Sequence, residues 1–177
     1  MKNGAELSKL KRLQMSSLQN YGGMALKVST DTSVLLDLVL KQNFESIEKL
    51  RKHHIDRDEL AICGMVYGEL CPLFIQNKLD VDLFLSELGV KTEVCTKEDY
   101  AYAGKKWNEY CRKRKFVCPA CGKSIKLTCP HCSTDIRFRQ HILSDFIIGA
   151  FSELHCDGLL TRDYGYYKTY FPNLKRL

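Results

Sequence analysis

Four acidic residues occupy positions where their carboxylates could meet and hold a metal ion. Asp31 and Asp163 each follow a short apolar run and precede a helical pattern, so each is predicted at the carboxyl end of a strand. Glu69 and Asp145 interrupt apolar helical patterns, where a carboxylate is costly unless it is paired or coordinated. Carboxylate oxygens suit a hard cation such as Mg²⁺ or Mn²⁺. Each acid alone also fits a helix cap or a surface position, so the prediction depends on all four meeting.

Four cysteines form a second set with metal-binding spacing, in the pairs Cys118/Cys121 and Cys129/Cys132. Two CxxC turns this close together can place four thiolates around one tetrahedral Zn²⁺. Gly122 supplies the permissive backbone that such a turn needs. Disulfides are the alternative, but clustered cysteines in a reducing compartment more often bind metal. We predict a structural zinc site, and expect the other cysteines to be small core residues: Cys63, Cys71, Cys95, Cys111 and Cys156.

Composition indicates a single folded domain with a basic region. The chain has 177 residues and is 45% hydrophobic, which is enough for a packed core. It contains no apolar run long enough to span a membrane and no signal-peptide pattern, so we expect a soluble cytoplasmic protein. Residues 105–139 hold ten Lys or Arg against two acids, a net charge of +8 within a total of +6. This basic region favours a polyanionic partner such as nucleic acid over a merely solvated helix end.

The order of apolar runs and helical patterns predicts an α/β fold. Strands are expected at 24–28, 60–63, 90–95 and 158–161, with an edge strand at 174–177, and helices at 5–19, 34–39, 44–52, 65–74, 80–88, 97–115, 136–154 and 164–171. This alternation implies a mostly parallel sheet between helical layers, in an α/β/α arrangement. The carboxyl ends of parallel strands form one crevice, which would hold Asp31 and Asp163. His53 and His54 are expected to be exposed at a helix end.

The acid-bearing segments resemble the PIN-domain nucleases, in particular the VapC-like toxins. The matching segments are DTSVLLD at 31–37, GEL at 68–70, SDFIIGA at 144–150 and LLTRDYGYY at 159–167, followed by YFP at 170–172. Their order and spacing fit the family from about Ala25 onward. Three features depart from it. Ser33 stands where the family often has Asn, and the four-cysteine insert and the N-terminal helix are additional.

The resemblance implies a metal-dependent ribonuclease. It would use Mg²⁺ or Mn²⁺ held by the catalytic residues Asp31, Glu69, Asp145 and Asp163, with Asp31 and Asp145 dominant. Supporting roles fall to Thr32, Ser33 and Arg162. The metal would activate water against the scissile phosphate, and cleavage would leave a 5′-phosphate and a 3′-hydroxyl. The expected partners are an RNA substrate, a small antitoxin protein and a second copy of the chain. Asp37, one turn into the first helix, is expected to face solvent or to pair with a base.

The predicted organisation has three parts: an N-terminal helical extension at 1–23, a PIN-like nuclease domain at 24–177, and a four-cysteine zinc ribbon inserted at 116–136. The insert either extends an RNA-binding surface, with Trp107 or tyrosines stacking on bases, or is only a structural clip. The RNA-binding candidates are Lys113, Arg114, Lys115, Lys123, Lys126, Arg137 and Arg139. Two other functions stay open. One is a PIN nuclease of RNA maturation, although its zinc module is usually terminal, and the other is a non-catalytic nucleic-acid-binding protein.

Overall fold

The computed structural model describes residues 25–113, 116–118, 120–136 and 142–177. The predicted helix at 5–19 lies outside these residues. The described strands are β1 (Lys27–Thr30), β2 (Glu59–Cys63), β3 (Val90–Glu93), β4 (Phe116–Val117), β5 (Ser124–Ile125), β6 (Leu127–Thr128), β7 (Asp135–Ile136) and β8 (Gly158–Leu160). The described helices are α1 (Thr32–Leu40), α2 (Phe44–Ile55), α3 (Gly64–Gln76), α4 (Val81–Leu88), α5 (Lys97–Lys113), α6 (Leu143–His155) and α7 (Tyr164–Tyr170).

A four-stranded parallel sheet forms the centre of the molecule, in the order β3-β2-β1-β8. Val28 of β1 pairs with Leu60 on one side and with Gly158 on the other, which fixes the register of the three central strands. Helices flank the sheet, so the predicted α/β architecture is confirmed. Where an edge strand was expected at 174–177, the described chain makes an isolated parallel bridge between Leu159 and Arg176. The carboxyl ends of β1, β2 and β8 therefore lie along one edge, which we call the acid edge.

Strand β1 extends two polar residues beyond the predicted end at residue 28. Ser29 and Thr30 belong to the strand and are 1% and 0% exposed. The Ser29 and Ser152 hydroxyls are 2.9 Å apart, and Ser152 donates to the Ile148 carbonyl at 2.7 Å. Because these contacts satisfy Ser29 inside the core, the strand can extend up to Asp31.

An aromatic cluster joins the three helices that follow the third strand. The ring of Phe146 in α6 packs against Trp107 of α5 at 5.3 Å, Tyr110 of α5 at 5.5 Å and Tyr166 of α7 at 5.1 Å between centroids. Such contacts add to the burial of apolar surface. Trp107 is therefore a packing residue of this cluster; it is half-buried, and its stacking on RNA bases stays a prediction.

A close approach also joins α6 to the residue that follows α7. The ring of Phe171 lies so near Gly149 that an added Cβ would fall 2.7 Å from Phe171 Cδ2. Any larger residue at Gly149 would require this buried ring to move. Glycine is needed here for space.

The insert consists of two short antiparallel hairpins. Strand β4 pairs with β5, and β6 pairs with β7. The predicted helix at 136–154 is wrong at its start, because residue 136 belongs to β7 and α6 begins at Leu143.

One half-buried hydrogen-bonded pair corrects the expectation for His53. Its Nδ1 lies 2.6 Å from Asp58 Oδ2, and Asp58 Oδ1 accepts the backbone N–H of Leu26 at 2.9 Å. The pair ties the start of the sheet to the loop before β2. His53 is therefore not an exposed helix-end residue, whereas His54 is exposed. Across the described ranges, no helix combines the length and apolarity that a membrane crossing requires.

Candidate active site

Asp31 lies at the junction of β1 and α1, as the sequence predicted. It is the residue before the helix, with extended backbone (φ −76°, ψ 153°), and it is half-buried. The hydroxyls of Thr161 and Ser33 donate to its Oδ2 at 2.7 and 3.1 Å. Its backbone N–H donates to the Leu160 carbonyl at 2.9 Å. Contacts from β8 and from its own helix thus fix the orientation of this carboxylate.

The pKa of Asp31 is raised above its ordinary value. Burial is the largest cause, and the negative charges of Asp145 and Glu69 add to it. Hydrogen bonds from Thr161 and Ser33 oppose the shift because they stabilise the ionised form. Asp145 and Glu69 therefore lie close enough to Asp31 for their charges to act on its carboxylate.

Glu69 connects three helices at the acid edge. It is half-buried in α3, and it accepts a hydrogen bond from Thr32 of α1 at 2.5 Å through Oε2. Ser144 of α6 donates to its Oε1 at 2.6 Å. These partners explain how a carboxylate is tolerated within an otherwise apolar helical pattern.

Asp145 and Asp163 both lie at the start of a helix. Asp145 is half-buried in the first turn of α6, and its Oδ2 accepts the backbone N–H of Ile142 at 2.8 Å. Asp163 is exposed and caps α7 by accepting the Tyr166 N–H at 3.0 Å. Both acids also help to raise the pKa of Tyr167, after burial and the charge of Asp31. Tyr167 therefore lies within electrostatic reach of Asp31, Asp145 and Asp163.

The predicted supporting residues separate into two groups. Thr32 and Ser33 contact Glu69 and Asp31 directly. Arg162 instead forms an ion pair with Asp37, with 3.3 Å between Nη1 and Oδ1. Asp37 is only 1% exposed, so the expectation that it faces solvent is wrong and the expectation that it pairs with a base is confirmed.

Two hydroxyl residues that the sequence pattern does not single out, Ser144 and Thr161, also contact these acids. Each hydrogen-bonds to an acid that lies far away in the sequence. The available signal was their position, since Ser144 precedes Asp145 and Thr161 stands two residues before Asp163.

The donor set at the acid edge fits a hydrated cation. Among residues 25–113, 116–118, 120–136 and 142–177, no three Asp, Glu, His or Cys side chains are grouped so that they could hold an ion together. Mg²⁺, however, usually contacts only one or two carboxylates and keeps several waters. After burial, the negative charges of Asp145 and Glu69 also raise the pKa of Asp31, and a nearby cation would offset this repulsion.

The two cysteine pairs occupy equivalent turns at the tips of the hairpins. The Cys118 N–H donates to the Lys123 carbonyl at 2.9 Å, and the Cys129 N–H donates to the Thr134 carbonyl at 2.9 Å. Gly122 and Ser133 follow the second cysteine of each pair with φ of +67° and +57°. Each turn therefore has the compact form expected of a zinc-binding CxxC pair.

One thiol of each turn has a pKa below its ordinary value. Backbone N–H groups of Cys121 and Ala120 lower the pKa of Cys118, and the Thr134 hydroxyl is the largest cause that lowers the pKa of Cys132. Thiolates are the form that binds metal. Within the described chain the two pairs do not come together as one metal-holding group. The structure therefore forms both turns without the shared four-thiolate site.

The basic residues predicted to bind RNA are only partly described. Lys113, at the end of α5, and Lys123 and Lys126, in the insert, are exposed. Arg114, Lys115, Arg137 and Arg139 lie outside the described residues.

Comparison with known proteins gives the fold. No protein-family model and no curated protein sequence matches this chain. Among matching solved structures, a chain of VapBC2 from Rickettsia felis, crystallised with a DNA fragment from its promoter, is 16% identical, with a TM-score of 0.58 over 86% of this chain and 98% of that one. A chain of a toxin-antitoxin complex from Klebsiella pneumoniae is 15% identical, with a TM-score of 0.54 over 83% of this chain and 94% of that one. At such identities the likeness establishes architecture, and the chain has a PIN-like α/β/α fold.

Proposed function

We propose that this protein is a Mg²⁺- or Mn²⁺-dependent endoribonuclease, the toxin of a type II toxin-antitoxin pair. The observation that carries the proposal is the acid edge, where the negative charges of Glu69 and Asp145, on two helices, act on Asp31 at the carboxyl end of β1. Carboxylates gathered in this way, at the carboxyl ends of parallel strands, are suited to a divalent cation. The fold shared with chains of two toxin-antitoxin complexes supports the same proposal.

Each acid has a proposed role. Asp31 and Asp145 would be the principal ligands of the cation, and Glu69 and Asp163 would bind it more weakly or orient its waters. When bound, the cation supplies a water of lowered pKa and stabilises charge on the scissile phosphate.

The surrounding side chains pre-organise these acids. Thr161 and Ser33 both donate to one oxygen of Asp31, so the carboxylate is held in one rotamer. Thr32 and Ser144 hold both oxygens of Glu69. Because these hydroxyls are already in place, little reorganisation is needed when substrate binds.

Exposed apolar side chains on α1 to α4 of this chain are available to contact an antitoxin. Leu40 and Phe44, at the junction of α1 and α2, are 46% and 80% exposed, and Ile75 and Leu83, on α3 and α4, are 75% and 59% exposed. Exposed apolar side chains that form one contiguous patch are typical of protein interaction sites. We propose that these helices contact the antitoxin or a second copy of the chain, and that the complex acts in the cytoplasm.

Cleavage of RNA is the direct test. Purified protein is incubated with total RNA in Mg²⁺, in Mn²⁺ and in chelator, beside Asp145→Asn and the control Asp56→Asn, an exposed acid at the end of α2. We expect discrete fragments that require metal, persist in the control and disappear in Asp145→Asn. Intact RNA in every lane, with RNA still bound, would instead support a non-catalytic binding protein.

Induction in cells distinguishes a toxin from a nuclease of RNA maturation. Growth arrest that requires Asp31 and Asp145 is the expected result for a toxin. Unchanged growth in a strain without the partner protein, combined with metal-dependent cleavage in vitro, would favour RNA maturation.

We also propose that Cys118, Cys121, Cys129 and Cys132 share one structural Zn²⁺. The support is the equivalent geometry of the two turns and the lowered pKa of Cys118 and Cys132. Elemental analysis should find one zinc per chain, lost in Cys118→Ser and kept in Cys71→Ser, a half-buried cysteine of α3. Absence of zinc from protein purified without chelator would refute this site and leave the nuclease proposal unaffected.

A further inference from the structure

Asp37 and Arg162 form an ion pair that the proposed chemistry does not use. The Asp37 side chain is 1% exposed, and neither of its oxygens accepts a hydrogen bond from the described residues. Arg162 Nη1 lies 3.3 Å from its Oδ1, while the Arg162 side chain is 47% exposed. A buried carboxylate is strongly unfavourable without a compensating charge. The contact therefore holds a half-exposed guanidinium against α1.

Arg162 also borders a cavity next to the acid edge. The cavity has a volume of ≈ 210 Å³, and its polar lining consists of Asn43, Glu45, Ser46, Lys49, Thr161 and Arg162. Thr161 donates to Asp31, so the cavity and the acid edge share a wall. Space of this size is several times the volume of a water molecule, which is about 30 Å³. A ligand group could therefore enter beside the acids.

The chemistry of the lining favours an anion. Arginine has five N–H donors, and the contact with Asp37 involves one Nη, so the planar guanidinium retains donors for a ligand. The first turn of α2, a helix of 12 residues, contributes Ser46 and the partial positive charge of a helix N-terminus. Lys49 lines the same space, with Glu45 3.0 Å away.

We propose that this cavity binds a backbone phosphate of the RNA strand next to the bond that is cut. Arg162 is its direct contact, and Asp37 is a positioning residue that orients Arg162. The inference rests on the proposed ribonuclease function and adds the place where the strand lies. Contacts of this kind fix the register of a nucleic acid without reading its sequence.

RNA binding tests Arg162. The affinity of a fluorescein-labelled single-stranded RNA is measured by anisotropy in chelator, where no cleavage occurs, over a range of salt concentrations. Arg162→Met is expected to weaken binding about tenfold and to reduce the salt slope by about 0.7, the value for one phosphate contact with a single strand. Arg51→Met is the matched control, because Arg51 is also 47% exposed and pairs with a carboxylate, Glu48, at 3.3 Å. It should change the affinity by less than twofold.

Two variants of Asp37 separate positioning from a purely structural ion pair. Arg162→Met leaves a buried charge unpaired and should lower the melting temperature, whereas Asp37→Leu/Arg162→Met removes both charges and should restore it. The double variant should still bind RNA as weakly as Arg162→Met. Asp37→Leu alone adds a net positive charge, yet lost orientation should weaken binding about threefold.

Distinct results would overturn the inference. If the wild type binds RNA and Arg162→Met binds it equally well, the phosphate site is refuted and the proposed function stands. Recovery of affinity in the double variant, or tighter binding by Asp37→Leu, would refute positioning by Asp37. A wild type that binds no RNA would refute the proposed function and this site with it.

Discussion

The contact between Gly149 and Phe171 determines what an added methyl group does to stability. A Cβ at Gly149 would lie 2.7 Å from Cδ2 and from Cζ of the Phe171 ring, which is 0% exposed. Overpacking of this kind costs about 1–3 kcal/mol. Replacing Gly by Ala inside a helix contributes about 1 kcal/mol in the opposite direction. We therefore expect Gly149→Ala to lower the free energy of unfolding by up to about 2 kcal/mol.

Gly104 provides the matched control in α5. A Cβ added there meets nothing within 4 Å. Gly104→Ala should therefore gain only the helix propensity, about 1 kcal/mol. Urea unfolding followed by circular dichroism would measure both variants, and their difference of about 1–3 kcal/mol isolates the clash. A shift of 1 kcal/mol corresponds to about 2–4 °C in melting temperature for a chain of this size.

A double-mutant cycle attributes the clash to one ring. Phe171→Leu removes part of the obstructing surface, so Gly149→Ala should cost less in that background, with a coupling above about 0.5 kcal/mol. If Gly149→Ala is as stabilising as Gly104→Ala, the described packing between α6 and Phe171 is refuted. If Gly149→Ala is destabilised but the coupling energy with Phe171→Leu is zero, the clash involves a group other than the Phe171 ring.

Three other residues, Asp31, Asp99 and Tyr102, predict measurable changes. Mg²⁺ at 100 times its Kd should stabilise the wild type by about 2.7 kcal/mol. It should stabilise Asp31→Asn much less, because the variant lacks a proposed ligand. Equal rises in melting temperature for the two proteins in scanning fluorimetry would contradict the role of Asp31. Asp99 is 0% exposed, caps α5 through Thr96 and lies 2.7 Å from His155, so Asp99→Ala should cost about 3 kcal/mol in urea unfolding. Burial, with a 2.6 Å hydrogen bond to Glu153, raises the pKa of Tyr102 from 10.0 to about 12. The folded state favours the protonated phenol, so Tyr102 stabilises the fold below pH 10.0, and this stabilisation is lost as the pH rises to about 12. When the free energy of unfolding is measured at increasing alkaline pH, Tyr102→Phe should therefore lack this part of the decrease.

The parallel sheet was predictable because its strands are short apolar runs separated by helical patterns. The runs at 60–63 and 158–161 differ from β2 and β8 by one residue at one end. The exception, β1, shows the limit of the pattern. Ser29 is polar but buried, and the Ser152 hydroxyl that satisfies it comes from 123 residues away. No local rule anticipates a partner at that distance.

In the candidate site, too, some features could be predicted from the sequence and others could not. Asp31 and Asp163 were identifiable because each stands between an apolar strand and a helical pattern. The partners of these acids were not, because the Thr161–Asp31 and Ser144–Glu69 bonds depend on which strands and helices become neighbours. Asp37 shows why. Its helical position gives no sign that Arg162, 125 positions later, will cover it.

The pairing of β1 with β8 also limits how early the acid edge can form while the chain is being synthesised. Thr161 is synthesised 130 residues after Asp31, the residue that it fixes in place. At roughly 5–20 residues per second, a ribosome needs about 6–26 s to make that stretch. During this interval β1 has no β8 beside it, and Asp31 lacks the hydroxyl of Thr161. Completion of the acid edge must therefore be a late event in biosynthesis, after most of the described chain has been made.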